Sequence, residues 1–207
     1  QMYQAKFILT AHHLDDKIET FFFHLLRGTK LTGLINMTEQ SGSILRPLLK
    51  IEKSKILEYL HQNNLIYFED SSNLHDTHTR NKLRLHILPK LETIHPNHKG
   101  NISQLLTYFE EIKSHIDFEV EKFLGNQKQE NYFNIQDFQS LSPLLQKEVI
   151  RYIYYNSHNN STIGLSEGNI AEVIRFIGGK NNKTVKQIGE MKMEKDNLVI
   201  KYFTDIY

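Results

Sequence analysis

The densest chemistry in this 207-residue chain lies near its start, in His12-His13-Leu14-Asp15-Asp16 followed by Glu19. Two imidazoles and three carboxylates this close together could hold a magnesium ion, orient an incoming amine or move a proton. Lys6 to Thr10 reads as a short buried strand, and Asp15 to Arg27 as the helix that follows it. The cluster therefore falls at the carboxyl end of a strand, where α/β proteins commonly bind ligands. His12 and Asp16 stand four residues apart, so they share a face if the helix begins early, with Glu19 one turn further on. The competing reading is a solvated acidic helix start with two surface histidines.

A second stretch, "EDSSNLHDTHTRNKLRLHILPKL", offers polar turn residues and then a basic run. Asp70, Ser71, Ser72 and Asn73 suit a turn, because such side chains bond their own backbone. Arg80, Lys82, Arg84, His86 and Lys90 follow without an intervening acid. Arg80 and Arg84, one helical turn apart, can grip phosphates together; a plain solvated face is the alternative. Two glycine-containing fragments carry no such promise. Ser41-Gly42-Ser43 lacks the second glycine and the Asp-Ser of a phosphate loop, and Gly178-Gly179-Lys180 lacks the upstream glycine and the following Ser/Thr of a P-loop.

Composition narrows the classes. There is no cysteine, which excludes disulfides, thiolate zinc sites and a cysteine nucleophile. The formal net charge of +1 means that nucleic-acid binding needs a local patch. No apolar run approaches the ~20 residues that cross a bilayer, and residues 1–6 lack the pattern of a signal peptide, so the cytoplasm is the default.

The elements that must position these residues alternate in the first half. Ile44 to Leu49 reads as a strand or extended segment, Lys53 to Asn63 as a helix, and Leu65 to Phe68 as another short strand. Such alternation points to an α/β domain with a parallel sheet. Ile18, Phe22, Leu25 and Leu26 mark the expected buried face of the first helix, widened by Phe21 and Phe23. Arg80 to Leu88 should be helical, ended or kinked by Pro89. After a boundary near Pro96 to Gly100 the pattern turns helical. Ile102, Leu105, Leu106, Phe109, Ile112, Ile116, Val120 and Phe123 stripe one long helix over Asn101 to Leu124. Helices opening at Ser142-Pro143 and Ser166 and a terminal β-hairpin turning at Lys195-Asp196-Asn197 complete the reading.

Taken in order, "TAHHLDDKIETFFFHLLRGTKLTGL", "LRPLL", "YFEDSSN" and "RNKLRLHILPKL" resemble the tRNA(Ile)-lysidine synthase family of the PP-loop ATP pyrophosphatase superfamily. The resemblance covers roughly residues 5 to 96 through motifs, and the remainder through layout. It implies a fold in which residues 1–96 form the C-terminal part of a PP-loop parallel-sheet α/β catalytic domain. A linking helix over 97–125 and a smaller tRNA-binding-like domain over 126–207, mainly helical with a β tail, would follow. The implied reaction uses ATP to adenylate the C2 oxygen of the wobble cytidine of tRNA(Ile); the amine of free L-lysine then displaces AMP. His12 and Asp16 would handle activation and lysine, supported by His13, Asp15 and Glu19. Asp70 and Asn73 would shape the pocket, while Arg80, Asn81, Arg84, Arg27 and Arg46 would hold tRNA or phosphates. Mg²⁺ would accompany ATP, with Asp15 and Asp16 as its ligands. A second copy of the chain is an open partner, and a membrane is not one.

The family's Ser-Gly-Gly-x-Asp-Ser loop does not occur in this sequence. The expectation is a chain that begins downstream of that loop, is inactive without the segment that carries it, and exposes an apolar sheet edge that limits solubility. Three rival readings stand beside this one. A related tRNA 2-thiocytidine synthetase is disfavoured by the absence of cysteine. A non-catalytic tRNA-binding remnant and a metal-dependent hydrolase are the others.

Overall fold

The computed structural model of the chain describes residues 5–35, 37–68, 79–125, 131–158 and 161–204. The chain divides into two compact units, residues 1–113 and 114–207. The division falls inside one long helix.

The first unit opens with β1 (Ile8–Leu9), which runs parallel to β3 (Ile44–Leu45). The antiparallel β2 (Gln40–Ser41) completes a three-stranded sheet of order β1-β3-β2. Its class is α/β, with one parallel and one antiparallel pair. Ser41-Gly42-Ser43 is the turn between β2 and β3, and Gly42 takes a φ of 56° there. β1 is not buried as its composition suggests: Phe7, Ile8 and Leu9 are exposed, Leu9 at 67%. It is an edge strand among the described residues, so no neighbour covers its side chains.

α1 (Leu14–Arg27) begins where chemistry favours a helix start. The His13 side chain caps it, Asp15 and Asp16 occupy its first turn, and Gly28 stops it at a φ of 74°. Its buried face is Leu14, Ile18 and Phe21; Leu25 and Leu26 are exposed, contrary to the periodicity. α2 (Leu31–Leu34) and α3 (Lys53–Gln62) follow. Leu65 to Phe68 is irregular and exposed instead of a strand, because no described strand lies beside it to pair with.

α4 (Thr79–Lys82) continues into a π-helical turn over Leu83–Ile87 and then α5 (Leu88–Ile94). Pro89 therefore does not end the helix. Proline lacks an N–H and crowds the carbonyl four residues back, and the wider π turn just before it relieves both problems. α6 (His98–Leu124) is the long helix that the apolar stripe indicates; Leu106 is its fully buried residue in the first unit, while Leu105 is exposed.

In the second unit, β4 (Tyr132–Asn134) and α7 (Ile135–Ser140) precede α8 (Pro143–Ser157), capped by Ser142, and α9 (Glu167–Gly178), capped by Ser166. The tail is a three-stranded antiparallel meander rather than one hairpin: β5 (Thr184–Ile188), β6 (Met191–Asp196) and β7 (Val199–Thr204). β4 pairs with β7, giving the order β4-β7-β6-β5. Gly178-Gly179 is a helix stop, and Lys195, only 4% exposed, donates from Nζ to the carbonyls of Ile177 (2.8 Å) and Gly179. The core is aromatic at its centre, where Phe133 lies 5.2 Å from Phe138, 5.8 Å from Phe123 and 6.4 Å from Tyr202 between ring centroids.

Phe133 is fully buried in that cluster, so Phe133→Ala should cost about 3–5 kcal/mol. In urea, the unfolding midpoint of residues 114–207 should fall with an unchanged slope. A loss below about 1 kcal/mol would contradict this packing.

Candidate functional site

The candidate site is built around the first turn of α1. His13 and Asp16 tie the turn together reciprocally. The Asp16 backbone N–H donates to His13 Nδ1 at 3.4 Å, and the His13 N–H donates to Asp16 Oδ2 at 3.0 Å. Because the helix starts at Leu14, His12 lies outside it and does not stack one turn before Asp16; its Nδ1 sits 2.8 Å from Thr10 Oγ1.

Asp15 and Glu19 each anchor a distant element. Asp15 Oδ2 accepts from the backbone N–H of Lys53, the first residue of α3, at 2.8 Å, and Oδ1 accepts from Lys99 Nζ of α6 at 2.7 Å. The positive end of α3 adds to this attraction. Glu19 is paired bidentately with Arg84 of the π turn, Nε to Oε1 at 2.6 Å and Nη2 to Oε2 at 2.8 Å. Its side chain is 6% exposed. Arg84 also reaches Asp16 Oδ1 at 3.6 Å. On the neighbouring face Lys17 donates to Glu110 at 2.7 Å.

These partners set the protonation states. Burial alone would raise the Asp15 pKa, but the Lys53 N–H and the Lys99 ammonium outweigh it and hold the carboxyl below its usual value. For Lys99, burial works against the charged form and the Asp15 carboxylate overcomes it, so its pKa is raised. The Glu19 hydrogen bond, reinforced by Asp16 and Asp15, raises that of Arg84 despite desolvation.

A cavity of about 180 Å³ opens beside this network. Asp15, Glu19, Glu92, Arg84 and Lys99 bring charge of both signs to its wall, and Ile18, Leu88 and Pro89 bring apolar surface. Drug-sized ligands occupy roughly 300–1,000 Å³. This cavity is thus scaled to a small metabolite such as an amino acid, not to a nucleotide. A larger depression of about 560 Å³ in the second unit, near Arg175 and Lys186, contains none of the candidate residues, and its Glu172–Lys186 pair is self-neutralised at 2.7 Å.

Asp15 and Asp16 do not fit a resident Mg²⁺. Both Asp15 oxygens are engaged and one Asp16 oxygen binds the His13 N–H, whereas magnesium needs free oxygens in near-octahedral array. Among the described residues no group of three or more His, Asp or Glu is placed to hold a metal.

The structure thus brings His13, Asp15, Asp16, Glu19 and Arg84 together. Arg27 and Arg80 meet elsewhere, around Phe23, and half-buried Asn81 lies on α4 between Arg80 and the π turn. Arg46 is apart from all of them, with Nη1 donating to the Thr38 carbonyl at 2.9 Å and a buried Nε that has no partner among the described residues. Asp70 and Asn73 lie outside the described residues. Sequence reasoning missed Lys99, Glu92 and His98, and no local signal marks them: Lys99 is 84 positions from the carboxylate it binds.

Comparison with known proteins shows what the sequence is similar to. Residues 1–91 match the model of the PP-loop domain. The tRNA(Ile)-lysidine synthase of Bacteroides thetaiotaomicron is 41% identical over 108 residues, 52% of this chain and 25% of that protein. The enzyme of the same name from Francisella philomiragia is 32% identical over 163 residues, covering 77% of this chain and 41% of the relative. That from Francisella tularensis subsp. novicida is 29% identical over 215 residues, covering all of this chain and 53% of the relative. The chain spans about half the length of these relatives or less.

The Asp15 pairing predicts an acid limb in stability. A carboxyl whose folded pKa lies below its unfolded value of about 3.9 stabilises the fold above that value, and the contribution disappears as pH falls through the folded value. Asp15→Asn should therefore be less stable than the parent chain near neutrality, with the difference closing below about pH 4. Thermal melts at stepped pH check this, and a difference that is constant through acid would contradict it. Residues 1–91 form a PP-loop domain, and the chain is a homologue of the tRNA(Ile)-lysidine synthases.

Proposed function

We propose that this chain serves tRNA modification, as part of an ATP-dependent ligase that joins lysine to C2 of the wobble cytidine of tRNA(Ile). The observation that carries the proposal is the amino-acid-sized cavity beside α1 in a PP-loop domain. Its charges complement a free lysine: Arg84 and Lys99 suit a carboxylate, Asp15, Glu19 and Glu92 suit ammonium groups, and Ile18, Leu88 and Pro89 suit a methylene stem. The names of the relatives support the same substrate pair.

In this reaction the cytidine C2 oxygen attacks the α-phosphorus of ATP and pyrophosphate leaves. The lysine amine then attacks C2 and AMP departs, and the amine loses one proton. Asp16, next in sequence to the cavity-lining Asp15 and only loosely shared with Arg84 at 3.6 Å, is the group assigned to order the amine and accept that proton. His12, held by Thr10, is assigned to the activated cytidine side. His13 and Asp15 position these groups through the helix cap and Lys99. ATP and its Mg²⁺ are co-substrates, and no described residue is assigned to the metal. Among the described residues no helix is long and apolar enough to cross a membrane.

The test is lysine incorporation into a tRNA(Ile) transcript by a protein containing both this chain and a Ser-Gly-Gly-x-Asp-Ser loop. Asp16→Asn should lower kcat/KM by about 100-fold or more, with ATP–pyrophosphate exchange retained. Unchanged incorporation would contradict the role of Asp16. Binding of tRNA without any incorporation would favour a binding-only module.

A further inference from the structure

Phe23 belongs to none of the acid–base machinery, yet two arginines from different helices converge on it. Arg27 of α1 places its guanidinium carbon 4.0 Å from the ring centroid, and Arg80 of α4 places its own 5.4 Å away. Both arginines are exposed and Phe23 is half-buried. Four other cations of the first unit are neutralised: Arg84 by Glu19, Lys99 by Asp15, Lys17 by Glu110 and Lys50 by Glu39, each within 2.7 Å. Among the described residues no carboxylate is paired with Arg27 or Arg80. A guanidinium held by its face against an aromatic ring keeps its N–H edge free for bidentate contact with an anion. Two such groups on one ring repel each other, and an anionic ligand removes that repulsion.

We propose that Phe23, Arg27 and Arg80 form an anchor for single-stranded RNA, the arginines gripping consecutive phosphates and the Phe23 ring edge and guanidinium planes supporting an unstacked base. The inference rests on the reading of the chain as an RNA-modifying domain and deepens it by locating a docking point outside the reaction site. Its placement favours RNA over an acidic protein. Phe23 follows Asp16 by seven residues on one helix, about 10 Å along the axis, so an RNA anchored there stays within reach of the carboxylate cluster. Aromatic stacking tolerates any base, whereas phosphate contacts fix register.

The experiment is fluorescence anisotropy with the 207-residue chain and two labelled probes, an anticodon stem-loop of tRNA(Ile) and a blunt RNA duplex of equal length. Phe23→Leu should weaken stem-loop binding by about tenfold or more and leave duplex binding unchanged. Phe23→Tyr, which keeps the ring, should restore the affinity, and circular dichroism confirms that both variants fold. Arg27→Gln and Arg80→Gln should each reduce the salt dependence of log K by about 0.7. If the parent chain binds neither probe even at low salt, the RNA reading falls and this proposal with it. If the parent binds the stem-loop and all three changes leave affinity and salt slope intact, only this proposal falls. Equal losses on stem-loop and duplex for Phe23→Leu would overturn the contact with an unstacked base.

Discussion

The arrangement of the first unit depends on one buried ion pair. Glu19 is buried on the flank of α1 beside the Leu14–Ile18 face, only 4% exposed, and a carboxylate there is tolerable only with a full partner. Arg84 supplies it, bidentately, from the π turn that Pro89 makes necessary. Removing Arg84 would leave the buried Glu19 carboxylate without its partner, whereas Arg84, 35% exposed, would keep Asp16 at 3.6 Å if Glu19 were lost. The pair therefore fixes the register of α1 against the π turn, and with it one wall of the cavity. Asp15 makes the second tie, to the start of α3 and to Lys99. Two adjacent turns of one helix thus hold three distant segments in place by charge.

On the proposed reading, the same charges that organise the fold suit a zwitterion. A cavity whose carboxylates and cations already neutralise one another need not be empty of function. A ligand bearing both signs can exchange partners with the wall without leaving any group unpaired. An apolar or singly charged ligand cannot. Such a wall suits a free amino acid better than a simple anion or cation. The surroundings of Asp16 differ from those of Asp15 and Glu19, since its contact with Arg84 is long and its other bond is to a backbone N–H of the helix cap, and this supports the proton-accepting role proposed for it. The far end of α1 differs, for Arg27 and the neighbouring Arg80 of α4 are exposed where Arg84 and Lys99 at the cavity are paired.

Much of this was legible in the sequence because it is local. Asp15 and Asp16 announce a helix start and Arg27-Gly28 its stop, Ser142-Pro143 and Ser166 announce two more, and the apolar stripe of α6 is long enough to read directly. What failed was non-local. The exposure of β1 and the irregular Leu65 to Phe68 depend on which strands lie alongside, and no propensity encodes that. Pro89 signals a break locally, but the chain absorbs it in a π turn whose buried Leu83 and paired Arg84 hold it helical. Within the site, composition marked the carboxylates of α1 and the arginine opposite them. Lys99 and Glu92 sit on ordinary-looking helical segments and acquire meaning only when α5 and α6 fold back beside α1.

The central claim is that the Glu19–Arg84 cavity takes a free amino acid. Isothermal titration of L-lysine into the 207-residue chain, with L-norleucine as the control lacking the side-chain amine, tests it most directly. The account predicts saturable binding of lysine, weaker binding of norleucine, and loss of lysine binding in Glu19→Gln. Lysine binding that is absent, or equal to that of norleucine, or unaltered in Glu19→Gln would contradict it.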